Sequence, residues 1–154
     1  MKRRIFMRAS AVAVAGAALG ARAQGLGLAA AQDITPLIHK ITGGREPEKT
    51  GIEIDMPQLA ENGNSIPARI RVTSPMTAED HVTEIHVLAE RNPRPHVATF
   101  LLGPQSGRAE IATRIRLAGT QNLTVVAVLS GNRYRIADTP VLVTSAACLD
   151  ETAG

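Results

Sequence analysis

Residues 68–73 read Ala68-Arg69-Ile70-Arg71-Val72-Thr73, apolar and polar side chains in strict alternation. A period of two is what a half-buried strand requires, because successive side chains of a pleated strand point to opposite faces. The same alternation recurs downstream. Ile85, Val87 and Ala89 alternate with Glu84, His86 and Leu88, and Ile111, Thr113, Ile115 and Leu117 with Glu110, Ala112, Arg114 and Arg116. Tyr134 and Ile136 alternate with Arg133 and Arg135. Val97–Leu102 and Leu123–Leu129 are instead continuously apolar, the pattern of central strands covered on both faces. With Ile52–Met56 first and Val141–Thr144 last, about eight strands are predicted.

Turn-forming residues separate these runs: Asn62-Gly63-Asn64, Ser74-Pro75, Asn92-Pro93-Arg94-Pro95, Gly103-Pro104-Gln105-Ser106-Gly107 and Gly131-Asn132. Many short strands at this spacing predict an all-β fold, an immunoglobulin-like antiparallel β-sandwich. Tryptophan is absent, and Phe6, Phe100 and Tyr134 are the only aromatic residues, so the core has to be built from Val, Ile, Leu and Ala. One short helix is expected ahead of the strands. Asp33–Thr42 places Ile34, Leu37, Ile38 and Ile41 at helical spacing, with Asp33 as N-cap, Pro36 in the first turn and Gly43-Gly44 past the end. Arg45–Lys49 reads as a polar linker.

The first 23 residues have the form of an export signal. Met1–Arg8 is basic, Ala9–Leu19 is weakly apolar and Ala21-Arg22-Ala23 is a small-x-small cleavage site. The Arg3-Arg4 pair and the Ala/Gly-rich core resemble a twin-arginine (Tat) signal, which implies a periplasmic protein. The apolar run falls short of the ~20 residues that span a bilayer, so no membrane anchor is expected. This segment holds five of the seventeen basic residues and no acidic one. Beyond it, twelve basic residues face fourteen acidic ones, a net charge of −2 with His neutral. The precursor's net charge of +3 therefore gives no support for nucleic-acid binding. The expected organisation is a signal over 1–23, a helix and linker over 24–50, a sandwich over 51–144 and a C-terminal arm over 145–154.

Cys148 is the only cysteine, so an exported chain of this kind has no internal disulfide to form. Its thiol is expected to be reactive or intermolecular. Asp150, Glu151 and the terminal carboxylate disfavour a thiolate beside them, so the thiol should be sluggish until a basic partner pocket activates it. His39, His81, His86 and His96 show no metal-ligand spacing, and His86 reads as a surface or interface residue. Arg69, Arg71, Arg114, Arg116, Arg133 and Arg135 are expected to point outward, as a solvated face or as a dock for an acidic partner. No His or acid is placed by the sequence to activate a Ser or Cys for catalysis.

An ordered series of segments resembles the SoxY family, the sulfur carriers of the periplasmic thiosulfate-oxidising (Sox) system. It comprises Ala60–Pro67, Ser74-Pro75-Met76, Ile85-His86-Val87, Asn92-Pro93, Val97–Phe100, Ser106–Glu110 and Thr113–Ala118, and runs from about Asp33 to Cys148. The resemblance implies a non-catalytic thiosulfate-oxidation carrier without a cofactor of its own. It also implies a heterodimer with a SoxZ-like sandwich subunit and transient visits to a c-type cytochrome, a dimanganese hydrolase and a sulfane dehydrogenase. Cys148 matches the family's carrier cysteine, the covalent attachment point, with Ser145, Ala146, Ala147 and Leu149 forming the swinging arm. The family's arm is Gly-Gly-Cys-Gly-Gly; here alanines precede the cysteine and Leu149–Gly154 follows it. Alanine lacks glycine's freedom at positive φ, so a stiffer arm is expected, and the four residues from Thr144 to Cys148 reach at most about 14 Å. Two readings follow: a sulfur carrier, or a SoxY-like interaction module that binds a partner without carrying sulfur.

Overall fold

The computed structural model describes residues 30–146. The signal expected over 1–23, and with it most of the segment preceding the helix, lies outside them, as do Ala147, Cys148 and Leu149 of the arm. In chain order the elements are α1 (Thr35–Thr42), β1 (Ile52–Asp55), β2 (Leu59–Ala60), β3 (Ile66–Val72), β4 (Val82–Ala89), β5 (His96–Leu101), β6 (Glu110–Ile115), β7 (Gln121–Leu129) and β8 (Arg133–Val143). A single 3-10 turn, Pro104–Ser106, precedes β6.

The strands form two sheets, β1-β3-β6 and β2-β8-β7-β4-β5, packed as an immunoglobulin-like sandwich. β3 is the centre of the smaller sheet and follows the alternation read from sequence: Ile66, Ala68, Ile70 and Val72 are buried, while Pro67, Arg69 and Arg71 are exposed. Opposite them, Ile85, Val87 and Ala89 of β4 and Leu123, Val125 and Ala127 of β7 complete one aliphatic core. Every strand pairing is antiparallel except that of the two-residue β2 with Leu142–Val143, a parallel pair that the sequence did not announce; the isolated bridge of Glu48 with Arg135 is parallel too.

β7 lies between β4 and β8 and is buried on both faces, as its apolar run predicts. β4 and β5 exchange the roles expected of them. The alternating β4 is the doubly covered strand, with every residue from Ile85 to Ala89 buried, whereas the continuously apolar β5 is an edge strand. The cause is the third layer. Leu88 and Val126 face away from the inter-sheet core yet have no exposed surface, because α1 packs on β7 and covers that face. At the edge, Leu101 is 79% exposed, and the register slip opposite Val87 and Leu88 leaves Val97 as an extra, bulged residue.

β8 joins two predicted strands into one of eleven residues. Pro140 lies within this strand, but the N–H groups of Ile136, Leu142 and Thr144 all point away from β7, to Glu48, Gln58 and Ala60. Pro140 shares that phase, so its missing donor faces an unpaired stretch of edge. The register also reverses the predicted facing of the strand. Arg135 lies opposite the core residue Ala127, while Tyr134 and Ile136 lie opposite Val128 and Val126 on the helix-covered side. Arg135 therefore points between the sheets rather than outward. Its guanidinium donates to the Thr73 carbonyl at 2.5 Å and lies 3.6 Å from Glu48.

The helix starts at Thr35 rather than Asp33, with Ile34 in the N-cap position. Asp33 still supplies a capping acceptor, taking the Thr35 N–H at 2.9 Å, which holds its carboxyl below the usual carboxylate range. Gly43 ends the helix in the left-handed region at φ 61°, as the Gly-Gly signal predicts. Among the described residues no helix is long and apolar enough to cross a membrane.

Candidate functional site: the root of the C-terminal arm

β8 carries the chain toward its C-terminus along the edge of the larger sheet, and three connections grip the last residues. The Val143 N–H donates to the Thr120 hydroxyl oxygen at 3.0 Å, and that hydroxyl donates to the Val143 carbonyl at 3.3 Å. Thr144 donates its N–H to the Ala60 carbonyl and its hydroxyl to the Glu61 carbonyl, both at 3.0 Å. The Gly63 N–H then donates to the Ser145 carbonyl at 2.8 Å, while the Gly63 carbonyl accepts the Leu117 N–H at 2.9 Å. The short β2 is thus explained by its position, since it turns the bare edge of β8 into a clamp. Ser145 and Ala146, the two predicted arm residues among those described, are exposed just beyond it. Cys148 follows three residues after the last clamped carbonyl, within about 10 Å of it.

A buried polar hub braces the same end of the sandwich. Asn92 donates to the Arg116 carbonyl at 2.8 Å and accepts from the Ala118 N–H at 2.9 Å and the Gln121 amide at 3.1 Å. Its own carbonyl takes the Gln32 amide at 2.7 Å. The sequence marks Asn92-Pro93 as a turn, but not as the joint that ties the β4–β5 turn to the β6–β7 connection carrying Thr120.

Beside the arm root an open groove of about 630 Å³ is lined by Leu59, Pro140, Leu142, Arg91, Asn122 and Thr120, among others. Leu59 and Leu142 are 55% and 52% exposed, an apolar pair on the surface. Glu90 and Arg91 bring opposite charges to it, and the Arg91 Nε is buried without a hydrogen-bond partner. None of these residues stood out in the sequence except as parts of strands or turns.

A second cluster lies on the helix-side face of the larger sheet toward β5. His86 is 7% exposed and places Nε2 2.8 Å from the Glu84 carboxylate; its Nδ1 lies 3.1 Å from Thr99 Oγ1 and 3.3 Å from His96 Nε2. Desolvation pushes the imidazole pKa below its ordinary value, with Glu84 opposing the shift and His96 adding to it. His86, expected at a surface or an interface, is therefore buried and hydrogen-bonded within this chain. Among the described residues no group of three or more His, Cys, Asp or Glu side chains is arranged to hold a metal ion.

The arginines divide by sheet. On the smaller sheet Arg71 pairs with Glu53 at 2.7 Å and Glu110 at 3.4 Å, Arg69 lies 3.7 Å from Glu110, and Arg114 and Arg116 are exposed, all outward as predicted. Arg133 shares the strand face of Arg135, opposite Leu129, but at the end of β8 it is exposed and pairs with Asp80. Such exposed pairs contribute at most about 1 kcal/mol each, so they describe a solvated face and carry little of the fold's stability.

Comparison with known proteins places this architecture. The family model described as sulfur oxidation protein SoxY matches residues 38–148. The sulfur carrier protein SoxY from Chlorobium limicola f thiosulfatophilum superposes with a TM-score of 0.58 at 32% identity, over 71% of this chain and 94% of that one. Superoxide reductase (neelaredoxin) from Ignicoccus hospitalis gives a TM-score of 0.55 at 14% identity, over 61% and 80% of the two chains. Superoxide reductase from Nanoarchaeum equitans gives 0.53 at 11%, over 62% and 100%. At those identities the likeness to the reductases is one of fold alone. No curated protein matches the sequence.

Proposed function

The chain belongs to the SoxY family, and from that premise we propose that it carries sulfur intermediates covalently on Cys148 in thiosulfate oxidation. The observation that carries the reading is the arm root. β8 ends in a clamp of side-chain and backbone hydrogen bonds, Cys148 follows three residues later, and the family match extends through that cysteine. A rigid body with a thiol on a short extension suits delivery of one sulfur into the narrow sites of several enzymes.

The bond making belongs to the partners. The Cys148 thiolate and the outer sulfur of thiosulfate form an S–S bond, and the two electrons released pass to a haem enzyme. Water then cleaves the S–SO₃ bond on a dimanganese hydrolase, which releases sulfate and leaves a persulfide on Cys148 for a sulfane dehydrogenase. This chain contributes the nucleophilic sulfur and the geometry of its presentation, as a non-catalytic subunit. Tat export through residues 1–23, a periplasmic location and pairing with a SoxZ-like subunit complete the proposal. So does a division into the sandwich over 51–144 and the arm over 145–154. Ala146-Ala147 in place of two glycines restricts the arm's backbone, so partner sites adapted to a stiffer arm are part of the same reading.

Intact mass of the protein isolated from cells grown on thiosulfate tests it. Reducible adducts with the masses of a thiosulfonate or a persulfide are expected on the wild type and absent from Cys148→Ser. An unmodified thiol, or only the disulfide dimer, would instead identify an interaction module that does not carry sulfur.

A further inference from the structure

β4 and β5 bring Glu84, His86, His96 and Thr99 together on the helix-side face of the larger sheet. Register places Thr99 opposite His86 and His96 opposite Leu88. His96 and Thr99 are three residues apart, so in a regular strand they would point to opposite faces. The bulge at Val97 turns His96 onto the face shared by His86 and Thr99. A triangle of donor atoms results: His86 Nδ1 lies 3.3 Å from His96 Nε2 and 3.1 Å from Thr99 Oγ1, and that oxygen lies 2.9 Å from His96 Nε2. We propose that these three atoms form one face of a tetrahedral site for a divalent ion of the zinc type, with water at the fourth position.

Three features favour an ion over a plain hydrogen-bonded cluster. Two nitrogens each about 2.0–2.1 Å from a tetrahedral zinc are about 3.3 Å apart, the separation of the two imidazole nitrogens. The Glu84 carboxylate accepts from His86 Nε2 at 2.8 Å, which leaves Nδ1 of the neutral ring as a bare lone pair on a residue only 7% exposed. The three contacts of the triangle then share at most two hydrogens, those of the Thr99 hydroxyl and His96, and a cation held by all three atoms removes that deficit. Finally, a carboxylate behind a ligating imidazole fixes its tautomer and raises its basicity, and Glu84 stands in that place. The two edges to Oγ1 are short for a filled tetrahedron and lengthen by a small rotation of the exposed Thr99 side chain. His96 is exposed as well, so the fourth position opens to water. Two imidazoles and a neutral hydroxyl are a weaker set than the ligands of a permanent centre, so the ion exchanges. While bound it pins the edge strand β5 to β4 across the bulge. No spacing motif announces the site, because its imidazoles come from different strands and a bulge aligns them.

Titration of Zn(II) into the purified, untagged chain carrying Cys148→Ser, which removes the competing thiol, tests it. One equivalent is expected to bind, with the ring-nitrogen NMR resonances of His86 and His96 moving and those of His39 and His81 unmoved. Glu84→Gln is expected to weaken binding about 10- to 100-fold. His96→Ala removes a ligand outright and is expected to weaken it further; this residue is exposed on an edge strand, so the variant keeps the sandwich folded. An unchanged affinity in His96→Ala would overturn the proposal, as would binding that disappears with His39→Ala or His81→Ala instead. A chain that takes up no Zn(II) would overturn it too and leave a hydrogen-bonded cluster only. The titrated chain has no thiol and adduct masses report on Cys148 alone, so failure of ion binding and failure of sulfur carriage are distinguishable.

Discussion

Thr120 and Val143 bond each other twice: the Val143 N–H donates to the Thr120 hydroxyl oxygen at 3.0 Å, and that hydroxyl donates to the Val143 carbonyl at 3.3 Å. One side chain from the β6–β7 connection thus satisfies both backbone groups of the last residue of β8. The body of the protein ends at this pair and the arm begins.

Replacing Thr120 by Val keeps the shape and removes both bonds. The orphaned Val143 N–H and carbonyl should cost about 1–2 kcal/mol, read as a lower urea midpoint. Amide exchange at Val143 and Thr144 should accelerate more than at β4 or β7, because the loss is local. Uniform acceleration across the sheets would show that the pair supports the whole fold rather than the arm root.

Asn92 joins three segments through its buried amide. Asn92→Ala leaves the Arg116 carbonyl, the Ala118 N–H and the Gln121 amide without that partner in a buried setting. The expected loss is about 3 kcal/mol in chemical denaturation, at the high end for one neutral polar residue. A loss under about 1 kcal/mol would mean that water replaces the amide.

His86 makes stability depend on pH. Its folded-state pKa lies below the ordinary imidazole value of 6.5, so between the two the unfolded chain binds a proton that the folded chain resists. The stability is fully present above the ordinary value and falls as pH drops toward the folded-state pKa. Urea midpoints measured from pH 7.5 to 5 should therefore decline, and His86→Gln should flatten part of the slope while keeping a hydrogen-bonding group between Glu84 and Thr99. An unchanged slope would assign the titration elsewhere.

Gly51 sits at φ +74°, and a Cβ there would lie 2.6 Å from the Arg135 guanidinium that reaches Thr73 across the sandwich. Gly51→Ala should destabilise by about 1–3 kcal/mol, combining left-handed strain with displacement of Arg135. Adding Arg135→Met should remove the displacement component, so a double-mutant cycle is expected to show coupling. Strict additivity would confine the effect to the backbone.

What could be read in advance follows from which interactions are local. The alternation of Ile66–Val72 survives intact because β3 has one sheet face in the core and one in solvent, the case in which a period of two maps directly onto burial. The same pattern misleads at β4 and β8. At β4 the face that would otherwise be wet is buried, Leu88 included, on the side where α1 packs on the neighbouring β7, and nothing within a strand's own residues says that a helix from far upstream will lie there. Arg135 shows the complementary error. Its charge argues for solvent, but register places it opposite Ala127, and the Thr73 carbonyl of the other sheet receives it.

By itself the sequence determined the sandwich class, the turn positions, the aliphatic core, the helix with its Gly-Gly stop and the single cysteine near the end of the chain, because each rests on local backbone preference or short-range periodicity. Its ordered segments also pointed to the SoxY family. Only the tertiary structure decided which strands are central, that β2 and the Gly63 loop clamp the arm root, and that Leu59, Leu142 and Arg91 form a groove beside it. Those features depend on pairings between residues up to some eighty positions apart, such as Thr144 with Glu61, and such pairings exist only once the sheets have closed.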